Sequence, residues 1–169
     1  MVQTKEKGRA LQFVKITDDM LLRAKHKSDE MGSLNNSITK GGGNLAGFVG
    51  EEIAQFVLGG KIVNTYDYDI VLDNGITVDV KTKRTTVEPR DNYECSVAAF
   101  NVKQKCDYYA FTRVLDNMSH GWFLGVYPKE LYFKEAKLLK KGDRDPSNNF
   151  TVKANCYNMM IAMLKKEIT

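Results

Sequence analysis

The order of apolar and polar positions along the chain switches between a helical and a strand period, and the switch points divide it into elements. Residues 11–16, LQFVKI, are mostly apolar and predict a short strand. Thr17 offers an N-cap hydroxyl, and Asp18 and Asp19 sit where a carboxylate meets the positive end of a helix. A helix is therefore expected from there to residue 31, stopping at Gly32. The tract GSLNNSITKGGGN has no period and is rich in Gly, Ser and Asn, which predicts a loop. Asn44 then caps a second helix over residues 45–58, closed by Gly59 and Gly60. At 100° per residue, Leu45, Val49, Ile53 and Phe56 share one face and Glu52 lies at its edge. Glu51 lies farther round, flanked by Phe48 and Leu58, so this helix is apolar almost all round.

From residue 61 the period shortens. Residues 61–66 and 68–72 are rich in β-branched and aromatic side chains and predict two strands. Asp73-Asn74-Gly75 carries the Asn-Gly signal of a tight hairpin turn. Residues 76–82 then alternate, with Ile76, Val78 and Val80 on one face and Thr77, Asp79 and Lys81 on the other. Further strands are expected at 108–115 and 122–127, joined by the turn 116–121. Pro128 suits the first turn of a helix continuing to residue 139, with Lys137, Lys140 and Lys141 at its end. Residues 150–168 admit a strand or a helix. Tyr108, Tyr109, Met159, Met160 and Met163 read as core. The whole is one α/β domain over residues 1–169, a mixed central β-sheet flanked by helices.

Composition changes this picture little. A hydrophobic fraction of 43% is enough for a core. With 25 basic and 21 acidic residues the net charge is +4, which permits nucleic-acid binding without requiring it. Cys95, Cys106 and Cys156 are scattered, with neither zinc spacing nor a disulfide framework, which fits a reducing compartment. No signal-peptide pattern opens the chain, and no apolar run approaches the roughly 20 residues that cross a bilayer. A soluble, cytoplasmic protein without membrane attachment is the expectation.

The chemistry concentrates in YDYDIVLDNGITVDVKTK. Asp79 and Lys81, two apart on one strand, project from the same face, and the hairpin folds Asp69 back beside them. Asp67 and Asp73 are near enough to compete with Asp69, and a solvated strand face would carry the same residues. Two carboxylates and a lysine where adjacent strands meet suit phosphodiester hydrolysis, which needs an activated water and cations to offset developing charge.

This constellation resembles the PD-(D/E)XK nucleases, which pair an acidic residue on one strand with acid-x-lysine on the next. The matching residues are Asp69 and Asp79-Val80-Lys81; Tyr68 replaces the proline. Many members add a glutamate from the preceding helix in a GxxGExxA-like pattern, matched by Gly47-Phe48-Val49-Gly50-Glu51-Glu52-Ile53-Ala54. The resemblance assigns Glu51, whereas the helix wheel leans to Glu52. It implies a restriction-endonuclease-like fold, with the metal site built within residues 44–115. It also implies Mg²⁺, with Mn²⁺ as a substitute, held by Asp69, Asp79, Glu51 and the backbone carbonyl of Val80. No small-molecule cofactor is implied. Lys81 would stabilise the transition state or act as the base. The substrate would be DNA, cut by a homodimer, and the small size fits a phage-type homing endonuclease or a resolvase-like member.

Lys83, Arg84 and Arg90 follow the lysine strand and are candidates to hold phosphates beside the cut. Asn35, Asn36, Ser37 and Lys40, in the loop before the glutamate helix, are candidates for DNA contact. Two other readings stay open: an RNA-acting nuclease, and a non-catalytic DNA-binding protein of the same fold.

Overall fold

A computed structural model of the protein describes residues 11–32, 42–146 and 149–169. Asn35, Asn36, Ser37 and Lys40 therefore lie outside the described residues. Strand β1 (Gln12–Lys15) leads into helix α1 (Asp18–Gly32), capped by Thr17, whose Oγ1 accepts the Met20 N–H at 3.2 Å. Helix α2 (Gly42–Leu58) starts two residues before Asn44, so Asn44 lies within the helix and not at the expected position before it.

Strands β2 (Lys61–Ile62) and β3 (Ile70–Val71) are shorter than their sequence promises, because residues 63–69 form an irregular loop. The hairpin after β3 does form. The Gly75 N–H bonds to the Leu72 carbonyl at 2.8 Å, and Gly75 has φ +86°, which a residue with a side chain rarely adopts. It is a three-residue loop ending on a left-handed glycine. Strand β4 (Thr77–Thr85) follows and runs three residues beyond the expected end.

The chain continues through β5 (Glu94–Ala98), a 3₁₀ turn (Ala99–Lys103), β6 (Tyr108–Leu115) and β7 (His120–Pro128). Helix α3 (Lys129–Glu135), β8 (Lys137–Leu139), β9 (Cys156–Met160) and a final 3₁₀ turn (Ile161–Met163) complete it. The helix expected to reach residue 139 stops at Glu135, because Leu138 and Leu139 pair with Tyr157 and Cys156 of β9. Lys137 thus lies in a strand, not at a helix end.

The main sheet has the order β1-β7-β6-β4-β3-β2, with β4 and β6 parallel and all other pairs antiparallel. A second, antiparallel sheet has the order β5-β9-β8. Mixed α/β class thus holds, with α1 and α2 on one face of the main sheet and α3 together with the small sheet on the other. On one face α2 packs over β4, β6 and β7, and α1 packs on α2, around Val14, Met20, Val49, Ile53, Val78 and Ala110. On the other face Tyr109, Phe111, Trp122 and Leu124 meet Tyr132 of α3 and Val97 and Met159 of the small sheet.

Each face of the main sheet therefore buries apolar groups, and consecutive residues of β4 enter different layers. Met159 and Tyr109 are buried as expected, whereas Met160 and Met163 are exposed and Tyr108 is only partly covered. Phe56, placed by the helix wheel on the buried face of α2, is also exposed.

Candidate functional site

The close approach of α2 to the sheet positions the site. A Cβ added to Gly50 would stand 1.9 Å from Thr82 Oγ1 and 2.6 Å from Thr112 Oγ1, so only glycine lets the helix lie this near β4 and β6. Gly47, the first glycine of the motif, meets no such neighbour. Glu51, the next residue after Gly50, is carried down against the end of the β2–β3 hairpin.

There Asn64, held at φ +47°, donates from Nδ2 to Glu51 Oε2 at 2.6 Å and accepts from Lys27 Nζ at 2.9 Å. The Thr65–Tyr68 turn closes through the Thr65 hydroxyl and backbone. The Val63 N–H donates to the Asp69 carbonyl at 2.8 Å. Asp69 is thereby fixed at the entrance of β3. Its N–H donates to the Val78 carbonyl at 2.9 Å, and its Oδ2 accepts the Val80 N–H at 2.8 Å.

In an extended strand the N–H and C=O of one residue point to the same side. The Val80 carbonyl therefore faces Asp69 as well. Asp67 and Asp73, the competitors of Asp69, are used elsewhere: Asp67 Oδ1 accepts the Lys105 N–H at 3.0 Å, and Asp73 lies in the hairpin turn.

Asp79 is 5% exposed, and Lys81 Nζ stands 2.7 Å from its Oδ2. The approach is an ion-pair distance without hydrogen-bond alignment, so this buried oxygen has no aligned donor. Gln104 completes the arrangement. Its Nε2 donates to Asp79 Oδ1 at 3.4 Å and to the Tyr66 carbonyl at 3.2 Å, while its Oε1 accepts from Lys81 Nζ at 3.3 Å. Lys129 Nζ donates to the Gln104 carbonyl and, at 2.8 Å, to that of Val102, which anchors the segment carrying Gln104. The Lys81 ammonium also lies 5.5 Å from the Tyr109 ring centre.

Electrostatics mark the acids as strained in their charged form. Burial, then the adjacent Asp69 charge, pushes Glu51 up to about 8 against the opposing Asn64 hydrogen bond. Burial also raises Asp79, to about 6, with Lys81 opposing and Asp69 adding. Burial and the Asp79 charge push the Cys106 thiol to about 12, so it is inert.

Glu52, one residue on from Glu51, accepts from Arg23 Nε at 2.5 Å and ties α1 to α2. The two neighbours thus serve different ends, Glu51 beside Asp69 and Glu52 beside Arg23.

Glu51, Asp69, Asp79 and Lys81 thus come together from α2, β3 and β4. Among the described residues no three His, Cys, Asp or Glu side chains are gathered tightly enough to enclose a cation. Asp69 is instead the charged neighbour common to Glu51 and Asp79. This donor set fits magnesium, which takes one or two carboxylates and keeps several waters. The buried Asp79 Oδ2, met only by the poorly aligned Lys81 ammonium at 2.7 Å, is the atom such a cation would approach.

The flanking basic residues diverge. Lys83 lines a cavity on the same face of β4 as Lys81, Arg84 Nε pairs with Asp116 at 3.2 Å, and Arg90 is exposed. Gln104 was missed by sequence reasoning, since a lone glutamine between lysines carries no period or motif of its own. No family model matches the chain, and no curated protein matches it.

Proposed function

We propose that the chain is a magnesium-dependent endonuclease that hydrolyses phosphodiester bonds of DNA, with a PD-(D/E)XK site on a restriction-endonuclease-like core. The observation that supports this most is the meeting of Glu51, Asp69 and Asp79 with Lys81, two of the acids being buried and raised out of the usual carboxylate range. Asp69, Asp79, Glu51 and the Val80 carbonyl are the groups that would hold magnesium or manganese, which when bound neutralises phosphate charge and acidifies a water.

The protein's own contribution is position. Asp79 and Gln104 both contact the Lys81 ammonium, which restricts its rotamers and keeps it beside the acids. From there it stabilises charge developing on a phosphate and orients a water. Asn64 and Lys27 set the Glu51 carboxyl toward Asp69, and the Val80 N–H does the same for the Asp69 carboxylate. Burial keeps these groups in a low dielectric, where each interaction with a phosphate is strengthened.

The test is cleavage of supercoiled plasmid, a four-way DNA junction and RNA with magnesium, manganese, calcium or chelator. DNA cleavage with magnesium or manganese, and binding with little turnover in calcium, are expected. Undiminished cutting in excess chelator overturns the reading, and cutting of RNA alone transfers it to that substrate.

A further inference from the structure

Tyr66 lies in the turn that precedes β3, and at 76% exposure it is the most open large hydrophobic side chain among the described residues. A single exposed ring on a protein surface is ordinary. This one is set apart by how its backbone is held. The Gln104 Nε2 that donates to Asp79 Oδ1 at 3.4 Å also donates to the Tyr66 carbonyl, at 3.2 Å. The next residue of each segment adds a second tie, since the Lys105 N–H donates to Asp67 Oδ1 at 3.0 Å. The bonds between Thr65 and Tyr68 close the turn itself. One nitrogen thus touches both a buried acid of the candidate active site and the residue that carries the open ring. The ring is anchored beside that site.

The segment that anchors it is basic. Residues 99–105, AFNVKQK, contain no acid. Lys103 and Lys105 flank the buried Gln104, both are exposed, and among the described residues neither stands in an ion pair. Phe100 and Val102 are exposed in the same segment, which Lys129 fixes through the Val102 and Gln104 carbonyls. The acids nearest in sequence to Tyr66 and Lys105 already accept hydrogen bonds from the protein's own groups. Asp67 takes the Lys105 N–H, and Asp107 takes the N–H and hydroxyl of Thr77.

An open aromatic face beside unpaired lysines suits a partner that is planar and apolar on its face and anionic along its backbone. An unpaired nucleotide has that form: its base stacks on a ring and its phosphates meet the ammonium groups. A base inside a duplex does not, because neighbouring bases cover both its faces and extruding it costs unstacking and unpairing energy. A tyrosine has few rotatable bonds, so fixing its ring against a base costs little entropy.

We propose that Tyr66 is a stacking platform for an unpaired base of the DNA strand, with Lys103 and Lys105 holding the adjoining phosphates. The chain then selects frayed, branched or single-stranded DNA over continuous duplex. The inference deepens the nuclease reading and rests on it for the substrate, but the stacking itself requires no catalysis.

The test measures binding in chelator, so that no cleavage occurs, for wild type, Tyr66→Ala, Tyr66→Phe and the double variant Lys103→Gln/Lys105→Gln. The probes are a single-stranded oligodeoxynucleotide carrying 2-aminopurine, a duplex with one unpaired base, and the same duplex fully paired. Tyr66→Ala keeps the carbonyl that Gln104 uses, and a thermal midpoint equal to wild type verifies its fold. It is expected to weaken binding of the single strand and of the unpaired duplex by about tenfold, and to leave the paired duplex unchanged. Wild type and Tyr66→Phe should both quench 2-aminopurine fluorescence by stacking, and Tyr66→Ala should not. The double lysine variant should weaken binding to all three probes and lower the salt slope by about two.

Equal affinity of wild type and Tyr66→Ala for unpaired DNA at matched salt, or an equal loss on paired and unpaired DNA, overturns the platform. Magnesium-dependent cleavage of DNA by wild type then leaves the nuclease reading standing. Binding of unpaired DNA that depends on Tyr66, in a protein that cuts no nucleic acid, overturns the nuclease reading and keeps the platform.

Discussion

Replacing Glu51 with Gln removes a titrating carboxyl while keeping an oxygen for the Asn64 amide. Burial, and then Asp69, lift Glu51 from 4.5 to about 8. Between these values the folded protein keeps a proton that the unfolded chain has released. Its stability is therefore full below the unfolded pKa and falls as pH rises toward the folded one. At about 1.4 kcal/mol per pH unit, the passage from pH 5 to pH 8 costs wild type on the order of 3 kcal/mol through this one group. Glu51 is only 8% exposed, so solvent screening does not erase the effect. Asp79, raised to about 6, adds a fall of the same sign in both proteins and drops out of the comparison.

Trp122 is the only tryptophan and is 3% exposed, which makes its fluorescence a reporter for urea unfolding in chelator. The wild-type midpoint should fall steadily from pH 5 to pH 8, and the Glu51→Gln midpoint should fall less and lie above it at pH 8. Added magnesium should then stabilise wild type more than the variant, since a cation binds the deprotonated acid. Parallel pH curves for the two proteins would refute the reasoning, because they would mean that Glu51 titrates alike in the folded and unfolded chains.

Asp79→Ala and Lys81→Ala should each lower cleavage by about 10² to 10³ or more while leaving DNA binding largely intact; full activity in either folded variant overturns their assignment. Gly50→Ala should force α2 away from Thr82 and Thr112, at a cost of about 1 to 3 kcal/mol read as a lower thermal midpoint, and an unchanged midpoint contradicts the close approach. Glu52→Gln should weaken the Arg23 tie and lower stability by about 1 kcal/mol while cleavage persists. A cleavage loss at Glu52 larger than that of Glu51→Gln would reverse the roles given to the two residues.

What the sequence determined by itself is local. Thr17 caps α1, the Gly75 turn closes a hairpin, and the alternation in β4 puts Asp79 and Lys81 on one face, because each depends on residues a few positions apart. The strands β6 and β7 were legible for the same reason.

The choice between Glu51 and Glu52 was not decided by the helix wheel. Helix α2 is packed by α1 on one side and the sheet on the other, so its middle is buried all round, and only Arg23 and Asn64 separate the two acids. Gln104 reaches Asp79 across 25 residues, a contact no period encodes.

The second sheet was the larger omission. Strand β5 pairs with β9, with Glu94 opposite Met160, and β8 takes residues with helical neighbours because β9 satisfies their backbone groups. That pairing places Arg113 and Asn158 on one cavity wall, although β6 and β9 lie in different sheets. Chain closure and packing, which act between residues distant in sequence, decided the site's neighbours; short-range periodicity decided only which faces its residues occupy.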